Sequence, residues 1–105
     1  MAPPEAALRL LGLAARAGRV LPGTDRVREA VRGGEARLVL VAGDISANTR
    51  DKLLPLLESR GTPHVIGYDR DRLGAAVGRP PLSAVAVTDA SLAARLQELL
   101  TGSKE

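Results

Sequence analysis

One short stretch of the chain, residues 23–34, contains three arginines and two acidic residues. These arginines, Arg26, Arg28 and Arg32, could bind phosphate. A guanidinium group has a planar fork of N–H donors that matches the acceptor atoms of phosphate or guanine. If a helix begins near residue 24, its free N–H groups and positive dipole end also attract anions. The pattern favours nucleic acid as a ligand, and the alternative from these residues alone is an ordinary solvated helix face.

The sequence predicts a short helix for this stretch and a buried strand after it. Apolar residues recur at helical spacing along one side, and they are Val27, Ala30 and Val31. Arg28 and Arg32 are then expected together on a different, exposed face. The glycine pair at 33–34 predicts the helix end. The wholly apolar run 38–41 is typical of a strand covered on both faces.

The remaining polar residues predict no catalytic residue, metal site or cofactor. The chain has no cysteine and one histidine, so neither a thiolate nor a histidine metal cluster is expected. Asp44 and Asp89 follow predicted strands, and a turn or capping role is favoured over catalysis for both. His64 is interpreted as a partly buried strand residue. The glycines match neither G-x-G-x-x-G nor a lysine-bearing phosphate loop.

The length and charge of the chain limit the function classes further. The 105 residues predict one domain, 1–105, with an ordered core over about 5–101. Thirteen of its fifteen basic residues are arginine, and the net charge of +3 permits nucleic-acid binding without requiring it. Codon bias is the alternative cause of the arginine content. Without a basic signal region or a long apolar run, we expect a soluble cytoplasmic protein and no membrane partner.

The aromatic content restricts the kind of nucleic acid that would fit. The chain has one tyrosine, no phenylalanine and no tryptophan. It therefore offers no stacking platform for single-stranded bases. Recognition would have to use shape, backbone phosphates and a few base edges, which suits a kinked duplex.

Helical and strand patterns alternate along the whole chain. The runs predicted to form the sheet core are 38–41, 65–66 and 85–87, with a short edge strand at 19–21. Pro55 is expected to break the third helix near Leu54, because an interior proline removes a hydrogen bond. Asp69 or Asp71 is expected to cap the fourth helix. This alternation predicts an α/β fold, a three-layer α/β/α sandwich around a small mixed sheet.

Several stretches of the chain are similar to one known family. They read LLGLAARAGRVLPG, GTDRVREAVRGGEARLVLVAGD, AGDISANTRDKL, LPLLESRGTPHV, RLGAAVG and AVAVTD. Together, over about residues 8–100, they resemble the kink-turn-binding ribosomal-protein superfamily of the L7Ae/L30e type, in particular its short bacterial YlxQ-like members. The resemblance implies the α/β/α fold, no enzymatic activity and binding of structured RNA at kink-turns. It also implies ribosomal RNA and ribosomal or translation-factor proteins as partners, and we expect a monomer.

The family motif is altered at its RNA-contacting positions. The family motif is Gly-Thr-Asn-Glu, followed after two further residues by a lysine. The four motif residues correspond here to Gly23, Thr24, Asp25 and Arg26, and the lysine corresponds to Glu29. In the family, the asparagine and glutamate face guanine edges. By resemblance, Arg26 would donate to guanine O6 and N7, and Asp25 would accept from a guanine amino group.

A second family element also differs here. The apolar-acidic-apolar loop of the family corresponds to an Arg-Pro-Pro sequence. The residues expected to contact RNA are Gly23, Thr24, Asp25, Arg26, Arg28, Glu29, Arg32, Arg79, Pro80 and Pro81.

Two hypotheses from different classes follow. The first is a non-enzymatic RNA-binding protein that recognises kink-turn-like RNA in association with the ribosome or translation. The second is a protein-interaction module that kept the fold after losing kink-turn specificity, which Glu29 and the Arg-Pro-Pro loop favour. A small hydrolase is disfavoured because no catalytic set of residues is present in the sequence.

Overall fold

A computed structural model describes residues 4–102, where five helices alternate with four short strands. In chain order these are α1 (Glu5–Arg16), β1 (Val20–Pro22), α2 (Thr24–Arg32), β2 (Leu38–Ala42), α3 (Ala47–Ser59), β3 (His64–Gly67), α4 (Arg70–Ala76), β4 (Ala84–Val87) and α5 (Ala90–Thr101). Residues 1–3 and 103–105 of the predicted domain lie outside the described residues. The first of these ranges belongs to the N-terminal stretch for which the sequence predicts no signal peptide. The order of elements confirms the predicted α/β fold.

The four strands form one mixed sheet in the order β1-β4-β2-β3. β2 and β3 are parallel, whereas β4 is antiparallel to both of its neighbours, β1 and β2. The helices form two groups: α2 packs against α3, while α1 packs against α4 and α5. Both groups contact the sheet through β4, so the sheet is the middle layer. The predicted sandwich, mixed sheet and edge position of the first strand are confirmed.

Burial differs between the central strands and the edge strand β3. Every residue of β2 and β4 is buried, as their continuous apolar runs predict. In β3, by contrast, Val65 is half-buried and Ile66 is 53% exposed. The prediction that Ile66 belongs to the sheet core is therefore wrong. An edge strand has a neighbour on one side only, and no described helix packs extensively on β3.

The helix α3 continues unbroken through Pro55, so the predicted break near Leu54 is wrong. Leu53 and Leu57, on either side of the proline, are fully buried and hold both halves of the helix against the core. Pro55 is exposed, as is Asp51, whose carbonyl loses its helical donor and is left to water. Burial of the two leucines outweighs the cost of an interior proline, about 3 kcal/mol.

Three of the helices begin with a side-chain cap, whose oxygen accepts the N–H group three residues later. The capping residues are Ser46, Asp69 and Asp89, at 3.1, 2.8 and 2.9 Å respectively. The capping roles of Asp69 and Asp89 were predictable from sequence and are confirmed. No side chain within the described residues caps α2.

Candidate nucleic-acid interface

The candidate interface lies at one end of the sheet. The strands β1, β2 and β3 end there and β4 begins there, because β4 is antiparallel to its neighbours. The helices α2, α3 and α4 start at the same end, which we call the Gly23 end. The loop between α4 and β4, residues 77–83, reaches β4 at this end too. The topology therefore gathers three helix starts and one loop.

The start of α2 is bonded to the first residue of β4, which directly follows this loop. The N–H group of Gly23 donates to the carbonyl of Ala84, the first residue of β4, at 3.0 Å. The carbonyl of Gly23 accepts the N–H group of Val27 at 2.9 Å and so begins the helical ladder. The φ angle of Gly23 is +100°, a backbone conformation that glycine adopts without strain. This turn lets the chain pass from β1 into α2 without an intervening loop.

The first turn of α2 is open to a ligand. No side chain within residues 4–102 caps it, so its N–H groups lack the partners that the caps give α3, α4 and α5. Asp25 and Arg26 are exposed, and Thr24 is half-buried. Glu29 lies one turn beyond Arg26 on the same side and is exposed. The open turn combines free donors, one carboxylate and one guanidinium group.

The loop between α4 and β4 is held close to its own helix. The N–H group of Arg79 donates to the carbonyl of Gly74 at 2.8 Å. A Cβ atom at Gly74 would collide with the carbonyl of Pro80, so the loop backbone occupies the space that glycine leaves. The side chains of Arg79, Pro80 and Pro81 are exposed. The loop thus presents one arginine and two rigid proline rings beside the start of α2.

Not all residues expected to contact RNA lie together. Those at the Gly23 end are Gly23, Thr24, Asp25, Arg26, Arg79, Pro80 and Pro81. Arg32 is in the last turn of α2, about 12 Å further along the helix axis than Thr24. Arg28 is half-buried, so the expectation that it is exposed is wrong. The Nε atom of Arg28 is buried and has no hydrogen-bond partner in the described part of the chain, so the inner part of this side chain is packed against the protein.

Sequence reasoning missed two arginines at this end. Arg50 is in the first turn of α3 and Arg70 is the first residue of α4. Asp44 links the two loops involved, because its Oδ1 accepts the N–H group of Arg70 at 3.0 Å and its Oδ2 lies 3.5 Å from Arg70 Nε. Asp44 was expected to form a turn or a cap, and it accepts from the first N–H group of the distant helix α4, whereas the next helix, α3, is capped by Ser46. The missed signal is that each arginine lies in the first turn of a helix that follows one of the two parallel strands.

The rest of the described chain offers neither a metal site nor a membrane-spanning helix. Among residues 4–102, no three His, Cys, Asp or Glu side chains are grouped closely enough to hold a metal ion. Over the same range, no helix has the length and apolar character needed to cross a membrane.

The α/β/α sandwich around a four-stranded mixed sheet is a fold shared with RNA-binding proteins of the ribosomal-protein type. The chain belongs to the ribosomal protein L7Ae/L30e/S12e/Gadd45 family, whose model matches residues 5–97. This membership confirms the family identified from sequence and the expectation of a non-enzymatic protein.

Similar proteins come from several organisms. The chain is 38% identical over 91 residues to the RNA-binding protein YlxQ of Bacillus subtilis (strain 168), covering 87% of this chain and 91% of that protein. It is 28% identical over 98 residues to the RNA-binding protein YlxQ of Enterococcus faecium, covering 93% and 94%.

Solved structures confirm the fold. A protein of unknown function from Bacillus halodurans C superposes with a TM-score of 0.86 at 36% identity, over 90% of this chain and 96% of that one. The Giardia lamblia 15.5kD RNA binding protein superposes with a TM-score of 0.76 at 22% identity, over 90% and 84%. At that identity, the second likeness supports the fold alone.

Proposed function

We propose that this protein binds structured RNA at a kink-turn-like bend, without catalysis, through the Gly23 end of the sheet. The observation that carries the proposal is the hydrogen bond from Gly23 to Ala84, which brings the start of α2 and the proline loop onto one surface. The names of its bacterial relatives, RNA-binding protein YlxQ, support RNA as the ligand. The family description supports a role with the ribosome or translation, in the cytoplasm.

The proposed contacts follow from the chemistry of the open first turn. The free N–H groups of α2 and the guanidinium groups of Arg26 and Arg79 bind phosphate or guanine acceptors. Asp25 accepts from a guanine amino group. Tyr68, the one aromatic residue, is 4% exposed and cannot stack on a base. Recognition therefore depends on the shape of a bent duplex rather than on splayed single-stranded bases.

The charges at two positions are reversed relative to the family motif, and this affects specificity. Arg26 stands where the family has glutamate, and Glu29 where it has lysine. We propose that Arg26 reads a guanine through its O6 and N7 acceptors, a role that needs the planar fork of arginine. Glu29, one turn away, excludes a phosphate from the place where lysine would bind it.

The test compares a kink-turn RNA with the same duplex lacking the bulge. We expect the wild-type protein to prefer the kink-turn, and Arg26→Ala with Arg79→Ala to abolish that preference. Arg95→Ala is the control for loss of an exposed arginine on α5, outside the three helix starts and the loop of the Gly23 end, and each single variant, Arg26→Ala and Arg79→Ala, is compared with it. Equal affinity of the wild-type protein for both RNAs would contradict kink-turn recognition, and binding to neither RNA would favour the protein-interaction module instead.

We also propose that residues 1–105 act as one domain and as a monomer, with ribosomal RNA or another kink-turn RNA as its ligand. Ribosomal or translation-factor proteins would be its neighbours on that RNA. Light scattering of the free protein and of its complex with one kink-turn RNA tests this. One protein per RNA is expected, and a dimer in either sample contradicts it.

A further inference from the structure

Four exposed arginines of the described chain meet at the opposite end of the sheet. The strands β1, β2 and β3 begin there and β4 ends there, and we call it the Arg37 end. The arginines are Arg19, Arg32, Arg37 and Arg60. We propose that the Arg37 end is a second RNA contact, which binds the phosphate backbone of a duplex while the Gly23 end holds the bend. This inference rests on the proposed RNA-binding function and extends it to a new surface.

Strand register places two of these arginines on either side of β4. Val20 of β1 and Leu38 of β2 are both paired with Val87 of β4. Arg19 and Arg37 directly precede these two residues, so they flank the end of β4 at the same level. With strands about 4.8 Å apart, the two backbones are about 10 Å from each other.

Hydrogen bonds to β4 and the next residue hold this arrangement. The N–H group of Arg37 donates to the carbonyl of Val87 at 2.8 Å. The carbonyl of Arg19 accepts from the N–H group of Thr88 at 2.9 Å and from its Oγ1 at 3.1 Å. The backbones that carry the two exposed side chains are therefore fixed.

The other two arginines are joined where α2 ends. Nη1 of Arg60 donates to the carbonyl of Arg32 at 3.1 Å, although their sequence positions are far apart. The negative end of the α2 dipole holds the Arg60 guanidinium there. A guanidinium group has five N–H donors, so most of those of Arg60 remain free for a ligand. Two cationic side chains are thus brought to the same helix end.

No acidic side chain of residues 4–102 forms an ion pair with these four arginines. The ion pairs within that range join Arg70 to Asp44 and Arg72 to Glu5. The acidic residues near this end are Glu35, in the turn between α2 and β2, Glu58, two residues before Arg60, and Asp89, whose carboxylate caps α5. The four arginines outnumber these three acidic residues, so the end keeps a positive charge that a chain of phosphates would neutralise.

The composition of this surface favours nucleic acid over a protein partner. Protein interfaces depend on a buried apolar anchor surrounded by polar groups. Two large apolar side chains are clearly exposed in the described chain. Leu13, in the last turn of α1, lines the groove between α1 and α4, and Ile66 lies towards the far end of β3. The four arginines therefore have no exposed apolar side chain among them. That combination fits a phosphate backbone, which is read by charge and hydrogen bonds.

The experiment measures binding of two labelled RNAs at several salt concentrations. One is a kink-turn RNA and the other a plain RNA duplex of about two helical turns, long enough to offer several phosphates. Arg19→Gln with Arg37→Gln removes charge from the Arg37 end. Arg9→Gln with Arg95→Gln removes the same charge from exposed positions on α1 and α5 and is the matched control. Arg26→Ala with Arg79→Ala tests the Gly23 end separately.

We expect the Arg19 and Arg37 pair to weaken duplex binding about tenfold and to reduce the salt slope by about two, since two phosphate contacts are lost. Equal duplex affinity of the Arg19 and Arg37 pair and the control pair overturns the proposal. Absence of duplex binding at low salt also overturns it and leaves an acidic protein as the partner.

The same data separate this inference from the proposed function. The proposed function fails if the wild-type protein does not prefer the kink-turn RNA and the variant with Arg26→Ala and Arg79→Ala binds it with unchanged affinity. Loss of duplex binding in the Arg19 and Arg37 pair would still support a phosphate contact at the Arg37 end.

Discussion

The N–H group of Gly23 donates to the carbonyl of Ala84, which fixes the start of α2 against the first residue of β4. Ala84 directly follows the loop of residues 77–83, so this bond joins the start of α2 to the strand that the loop enters. The candidate interface is therefore a property of the sheet and not of either segment alone.

The first prediction concerns Gly74, which makes room for the loop. In Gly74→Ala, the new Cβ would meet the carbonyl of Pro80, so helix or loop must shift. We expect a loss of about 1–3 kcal/mol in the free energy of unfolding, measured with urea. Kink-turn affinity should also fall, because Arg79 moves with the loop.

Gly33→Ala is the control for this substitution. A Cβ at Gly33 would lie 3.4 Å from the carbonyl of Glu29, and the φ angle of −83° suits alanine. Its stability should change by no more than about 0.5 kcal/mol. Equal stability of both variants would contradict the packing role of Gly74.

The second prediction concerns the specificity of Arg26. Lysine keeps the charge but cannot form the planar fork, so Arg26→Lys should cost about 1–3 kcal/mol of binding free energy on RNAs that carry the guanine. RNAs with that guanine replaced should bind both proteins equally. A silent Arg26→Lys would mean that Arg26 only neutralises phosphate.

Restoring the family pair gives a further test of the same site. Arg26→Glu with Glu29→Lys should raise kink-turn affinity if the proline loop still fits that RNA. A folded double variant that fails to bind a kink-turn would show that the loop, or another part of the Gly23 end, has lost the site.

The third prediction concerns Pro55 inside α3. Pro55→Ala restores the N–H group that can donate to the carbonyl of Asp51 on the exposed side of the helix. We expect the free energy of unfolding to rise by about 1–3 kcal/mol. Glu58→Ala, at another exposed position of α3, is the control and should be nearly neutral. A loss of stability in Pro55→Ala would mean that the core depends on the shape that the proline gives the helix.

The fourth prediction concerns the ionisation of Tyr68. Burial raises the pKa of its phenol above 10.0, the charge of Glu5 raises that pKa further, and Arg72 partly opposes both. The folded state therefore favours the neutral phenol. The neutral phenol contributes fully to stability at a pH below the pKa that Tyr68 has in the unfolded chain. That contribution is lost as the pH rises through the higher pKa of the folded protein.

The chain contains one tyrosine and no tryptophan, so phenolate absorbance reports this residue alone. Titration should give a higher pKa in the native protein than in guanidinium chloride. Tyr68→Phe should remove the phenolate signal, and it should cost about 0.5–1.5 kcal/mol through its lost hydrogen bond to the carbonyl of Pro4. Identical native and denatured titration curves would contradict the raised pKa.

Local patterns in the sequence were sufficient for much of the fold. The apolar runs of β2 and β4 and the capping aspartates Asp69 and Asp89 are visible in short windows, since each depends on neighbouring residues. Pro55 shows where this fails, because the burial of Leu53 and Leu57 overrides a local rule. Ile66 looks like a core residue until strand order places β3 at an edge.

The candidate site was less predictable than the fold. The cluster of residues 23–26 is visible in the sequence. That it lies near the proline loop could be expected only from the family resemblance. Arg50 and Arg70 reach the Gly23 end through strand topology, which no local pattern reveals. Arg28 was placed on the correct helix, yet its partial burial depends on how α2 packs against its neighbours.

The position of β4 has a consequence for synthesis of the protein. This strand is the last to be translated, yet it lies between β1 and β2 in the sheet. A nascent chain that has not yet released residues 84–87 from the ribosome has no partner between those two strands and no acceptor for the N–H group of Gly23. Such pairing between distant residues is formed late and slows folding. The Gly23 end is therefore assembled only after most of the chain has emerged.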